Sequence, residues 1–181
     1  GLSLSLKPLA DALGVEATGV DLSAPVSDEV VDKLKMALRE KCLLVVRNQH
    51  LSSKQYLAAV RLFGETMEQH LSDLLMADYP EIAVLDSRKS PVGDDGLGIP
   101  LGSKDWHTDH TNHEKPPKMT AMYAVALPRE GGDTGFANMH LAYEALSEEE
   151  KTKLSGLKTV NRIENNPYVS DENKKRIGGA P

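Results

Sequence analysis

The chain has 181 residues, 40% hydrophobic and 27% charged, a size and balance that suit one soluble globular domain over 1–181 with its own core. A formal net charge of −6, the lack of any Lys/Arg cluster and an aromatic content of 4% exclude nucleic acid as a partner, because phosphates need a basic face and bases need stacking platforms. No apolar run approaches the roughly 18 residues of a membrane helix, and the opening Gly1-Leu2-Ser3-Leu4-Ser5 lacks the basic and apolar regions of a secretory signal, so a cytoplasmic protein without a membrane partner is expected.

Residues 3–7 and 15–20 read as short strands broken by Pro8 and Gly14. Ser27 caps a helix over 28–41, where Asp28 and Glu29 fill the first turn and Val30, Val31, Leu34 and Leu38 repeat at helical spacing. Cys42 to Val46 reads as a buried strand, with the single cysteine as a small buried hydrophobe, and Arg47-Asn48-Gln49 ends it in a polar turn. Ser52 or Ser53 caps a second helix with Tyr56, Leu57, Val60 and Phe63 inside, stopped by Gly64. Ile82 to Leu85 is the next strand, and the Gly-rich stretch 87–104 is a long loop, expected to be mobile without metal. Asp105 to Thr111 reads as extended and Met119 to Ala126 as a strand with Met122 and Tyr123 inside. Pro128 to Gly132 is a turn and Thr134 to Ala137 is extended again. His140 to Leu146 is a short helix, and Ser147 caps another with Leu154 and Leu157 on its inner face. Residues 158–163 suit a strand, whereas the polar stretch from Glu164 to Pro181 suits a mobile loop, as if the chain were interrupted there. Helices first and strands after predict an α+β fold with a largely antiparallel β core.

Two pieces carry chemistry. In Trp106-His107-Thr108-Asp109, His107 and Asp109 are two residues apart, so on a strand they face the same way and reach one metal ion. Imidazole plus carboxylate is two-thirds of a 2-His-1-carboxylate facial triad, which leaves three positions open on the ion. The same pair also suits an ordinary surface hydrogen bond. Gly131-Gly132-Asp133-Thr134 is the second piece: the glycines permit a tight hairpin turn, and the Thr134 hydroxyl is free to bind a carboxylate just beyond it. The glycine spacing excludes a dinucleotide or P-loop site. As a third ligand, His113 lies roughly 20 Å along the strand, too far for one ion. His110 faces the other way, His50 sits at a turn and His140 starts a helix.

These motifs, taken in order with Pro116-Pro117, Ala142-Tyr143-Glu144-Ala145-Leu146, Gly19-Val20-Asp21-Leu22, Val45-Val46-Arg47-Asn48-Gln49 and Phe63-Gly64-Glu65, resemble the taurine/2,4-dichlorophenoxyacetate dioxygenase family to about residue 163. The resemblance implies a double-stranded β-helix (jelly roll) with flanking helices, present here as its N-terminal two-thirds. It implies Fe(II) held by His107 and Asp109, with 2-oxoglutarate and O2 as co-substrates and Thr134 on the distal 2-oxoglutarate carboxylate. A small, anionic organic substrate would be hydroxylated with release of succinate and CO2. The family's second His and its Arg lie downstream of Pro181, so no residue here takes those roles. His70, Ser103 and Asn112 fall at substrate-contacting positions, and Arg88 and Lys104 are local cations for an anionic substrate. Ser103 and Asn112 depart from the taurine enzymes and turn the expectation away from taurine itself. Homo-oligomers are open by analogy. The competing readings are a jelly-roll binding protein without catalysis, a cupin-type metal hydrolase or isomerase, and a plain interaction domain.

Overall fold

Ser27 starts the longest regular element among the described residues. In the computed structural model, which describes residues 3–69, 74–89, 105–162 and 171–172, its side chain accepts from Val30 N at the head of helix α1, Asp28–Lys41. Acidic residues in the first turn and Arg39 and Lys41 in the last complement the helix dipole, and Lys33 pairs with Glu29 at 2.8 Å one turn apart. Val31, Leu34 and Ala37 form the buried stripe. Cys42 closes the helix in the left-handed conformation, φ 64, donating its N–H to Leu38 O at 2.8 Å.

The stripe of α1 covers a three-stranded sheet in the order β1–β2–β3, made of Ser5–Pro8, Val15–Thr18 and Leu44–Val46. Strand β1 pairs antiparallel with β2, while β2 pairs parallel with β3, with α1 as the crossover that parallel pairing requires. Val15, Ala17, Val31, Leu34, Ala37, Leu57 and Ala59 are the buried apolar residues of this part. Gly19 follows β2 at φ +78, and a Cβ there would sit 2.1 Å from Ser3 O, so close strand approach requires glycine.

Gln49 fastens the turn after β3. Its side chain accepts from Leu22 N and donates to Val20 O and Arg47 O, each at 2.8 Å. Helix α2, Ser53–Arg61, is capped by Ser52 in a reciprocal box with Gln55, and buries Leu57 and Ala59. Tyr123 stacks on Tyr56 at 5.5 Å, and its hydroxyl accepts from Leu51 N at 2.9 Å and donates to Gln49 O at 3.3 Å. Helices α3, Met139–Glu144, and α4, Glu148–Leu154, follow; Asn138 caps α3 and donates to Ala12 O at 2.8 Å. All of this belongs to one compact unit, Gly1–Glu65 with Tyr123–Leu157.

The second unit comprises Thr66–Met122 and Lys158–Pro181. Its described ladder pairs β4, Leu75–Met76, with β5, Tyr79–Ala83, antiparallel beside buried Leu74. A single 3-10 turn follows at Ser87–Lys89. Among the described residues, no helix is long and apolar enough to cross a membrane.

Several expectations need correction. The strand expected at 82–85 runs over Tyr79–Ala83. Among the described residues, 105–111, 119–126, 134–137 and 158–162 form no ladder. The extended alternation was legible, but a strand needs a partner as well as a pattern. Met122 is 64% exposed and Tyr123 half-buried; Leu154 and Leu157 are also exposed, so α4 has no buried inner face. Cys42 is exposed as well, since the left-handed cap swings it out of β3. The expectations for 90–104 and 163–170 and 173–181 lie outside the described residues.

Candidate metal centre

His107 and Asp109 meet on a segment with no ladder partner among the described residues, just before a turn that starts at Asp109. Residues 109–113 turn the chain, with His110 at φ 56 and His113 N donating to His110 O at 3.2 Å. That left-handed residue turns the chain after Asp109 and ends the extended stretch expected to run to Thr111. The pair nevertheless stands with His107 Nε2 at 3.1 Å from Asp109 Oδ1.

The other ring nitrogen explains the chemistry. Nδ1 of His107 lies 2.8 Å from the Asp105 carbonyl oxygen. A carbonyl only accepts, so Nδ1 carries the proton. In a neutral ring Nε2 is then a lone pair facing a carboxylate oxygen. Two acceptors at that distance need a cation: either a proton, making an imidazolium, or a metal ion bound to both. The His107 pKa is raised, first by the Asp105 carbonyl and then, against some desolvation, by Asp109, so the proton form is stabilised when no ion is bound. For a metal, two donors in cis positions about 2.1 Å from an octahedral ion stand about 3.0 Å apart, and the observed separation fits that edge. Both side chains are open to solvent, 52% and 46% exposed, so an ion can reach them.

Around the pair, Thr120 Oγ1 donates to Asp109 Oδ2 at 3.1 Å. His110 and His113 place their rings 5.6 Å apart, and burial lowers the His110 pKa. Because this stretch turns, the strand distance used against His113 does not apply. Even so, among the described residues no group of three or more His, Cys, Asp or Glu is placed to hold an ion.

The remaining sequence candidates divide. Asn112 is half-buried in the same turn. Thr134 belongs to the first unit and is exposed, after Gly131 and Gly132 with φ of 74 and 73. Both glycines are left-handed, but among the described residues their flanks form no ladder and so no hairpin. Arg88, offered as a substrate cation, instead grips Asp86 at 2.7 and 2.9 Å. His70, Ser103 and Lys104 lie outside the described residues. Sequence reasoning missed the Asp105 carbonyl, which any residue would supply, and Thr120, whose distance of eleven residues from Asp109 carries no periodic signal. A surface cleft of about 450 Å³ lined by Gly19, Val20, Asp21, Arg47 and Asn48 lies in the first unit and holds none of the candidates.

An oriented imidazole beside a carboxylate, both accessible, defines a candidate mononuclear metal centre. The family profile described as "Taurine catabolism dioxygenase TauD, TfdA family" matches residues 5–178, and the chain belongs to that family. It is 33% identical over 156 residues to the (S)-phenoxypropionate/alpha-ketoglutarate-dioxygenase of Sphingobium herbicidovorans, covering 86% of this chain and 52% of that one. It is 30% identical over 148 residues to the alpha-ketoglutarate-dependent sulfate ester dioxygenase of Pseudomonas putida, covering 81% and 46%. A crystal structure of a taurine dioxygenase from Burkholderia xenovorans superposes with a TM-score of 0.70 at 30% identity, over 92% of this chain and 55% of that one. The chain thus spans about half the length of the relatives it matches.

Proposed function

We propose that this protein acts as an Fe(II)- and 2-oxoglutarate-dependent dioxygenase that hydroxylates a small anionic organic substrate, with the 181 residues forming part of one jelly-roll domain. The observation that carries this reading is the facing of His107 Nε2 and Asp109 Oδ1 across 3.1 Å, with the opposite ring nitrogen tied to Asp105. Family membership supports the choice of iron and 2-oxoglutarate. The relatives named for phenoxypropionate and for sulfate esters act on anions, which supports the substrate class.

In this reading the iron supplies the activation of O2 coupled to decarboxylation of 2-oxoglutarate. The chain's own part is to bind and orient. Asp105 holds the His107 ring in one tautomer, so that Nε2 presents its lone pair. Asp109 contributes one carboxylate oxygen beside it. Thr134 donates its hydroxyl to the distal carboxylate of 2-oxoglutarate. Asn112, His70 and Ser103 are the residues assigned to substrate by the family resemblance.

The test begins with metal-stripped protein titrated with Mn(II), read by loss of the free-ion EPR signal. His107→Ala and Asp109→Ala should each weaken binding by at least about 10-fold. The same variants, loaded anaerobically with Fe(II) and 2-oxoglutarate, should lack the weak visible charge-transfer band expected of the unsubstituted protein. Mn(II) affinity equal in both variants and in the unsubstituted protein would mean that the contact is only an ion pair, and the reading would fall.

A further inference from the structure

The two oxygens of Asp109 have different partners. Oδ1 faces His107 Nε2 at 3.1 Å, and Oδ2 accepts from Thr120 Oγ1 at 3.1 Å. We infer that Thr120 is a positioning residue that keeps Asp109 a one-oxygen ligand, by committing Oδ2 to a hydrogen bond and leaving Oδ1 for the metal. The inference rests on the reading of His107 and Asp109 as metal donors and adds to it a residue and a role.

The chemistry explains why that matters. A carboxylate binds a divalent ion through one oxygen or through both. A set of two imidazoles and one carboxylate oxygen leaves three positions of an octahedron open, two for a chelating 2-oxo acid and one for O2. If both oxygens of Asp109 bound, only two would remain, and a chelating co-substrate would fill them. A hydroxyl fixed on Oδ2 opposes that swing. A hydrogen-bonded carboxylate ligand is also more strictly oriented, and loss of such a partner commonly costs 10–100-fold in metal affinity. Thr120 is exposed, so nothing in the core depends on it. Its hydroxyl is a side-chain donor to a carboxylate eleven residues away, not a cap or a turn bond of its own backbone.

Thr120→Val keeps the shape and removes the hydroxyl; Thr120→Ser keeps the hydroxyl and removes the methyl. With the metal-stripped protein and Mn(II), Thr120→Val should weaken binding about 10-fold or more and change the EPR line shape of the bound ion. Thr120→Ser should restore both, and neither substitution should move the thermal melting temperature. The inference is overturned if Thr120→Val binds Mn(II) with unchanged affinity and unchanged line shape, or if Thr120→Ser loses as much as Thr120→Val. His107→Ala separates the two levels of the proposal. If His107→Ala loses the ion while Thr120→Val does not, the metal centre stands and the role of Thr120 fails. If His107→Ala binds as before, both fail together.

Discussion

Cys42 occupies a backbone conformation that suits glycine. It closes α1 at φ 64, and its side chain is exposed, so the thiol packs against little that would be lost. A left-handed L-residue is strained by roughly 1–2 kcal/mol, while glycine loses about 0.5–1 kcal/mol more chain entropy on folding. Cys42→Gly should therefore stabilise the protein by about 0.5–1 kcal/mol, read as a rise in the urea midpoint at unchanged slope. The sequence placed Cys42 inside a buried strand because Leu43 to Val46 beside it are apolar. Hydrophobicity alone does not reveal that the preceding helix needs a left-handed residue at that position. The same limit applies at the site. His107 and Asp109 were legible as residue types at a suggestive spacing, whereas the left-handed His110 at φ 56 and the bond from Thr120 to Asp109 were not.

Among the helices, caps were the most legible features, since a cap is a local contact between a side chain and the backbone a few residues on. Ser27, Ser52 and Ser147 all cap as their sequences indicate. At α4, Glu150 accepts from Ser147 N at 2.8 Å, and that backbone bond, then the Ser147 hydroxyl, lowers the Glu150 pKa. A depressed carboxyl stabilises the helix start above its unfolded pKa, and that stability is lost as pH falls through the lower folded value. NMR titration should place the Glu150 midpoint below the ordinary glutamate range, and Ser147→Ala should raise it towards that range. A midpoint unmoved by Ser147→Ala would contradict the box. Strands fared differently. Those at 5–8, 15–18 and 44–46 found partners, but among the described residues 105–111, 119–126 and 134–137 did not. Alternation reports which faces a segment could bury, and the ladder depends on a second segment far along the chain.

For the molecule as a whole, apolar burial is uneven. The first unit concentrates its buried apolar residues around the β1–β2–β3 sheet, with Leu34 as the largest fully buried side chain. Leu34→Ala should cost about 2–5 kcal/mol, the range for a large-to-small change in a core, seen as a lower midpoint in urea. From Met122 onward, by contrast, Val125, Leu127, Met139, Leu141, Leu157 and Val160 are exposed, in a chain that spans about half the length of its relatives. What the sequence determined by itself was local or collective: the helices with their caps, the family carried by an ordered set of motifs to about residue 163, and the choice of His107 and Asp109 as a pair. Tertiary structure alone decided which extended segments pair, how Asp105 fixes the imidazole, and that Thr120 holds the second oxygen of Asp109. The division has one physical cause. Caps and helical stripes act over three or four residues, while ladders and ligand geometry join backbones whose separation in sequence sets no distance in space.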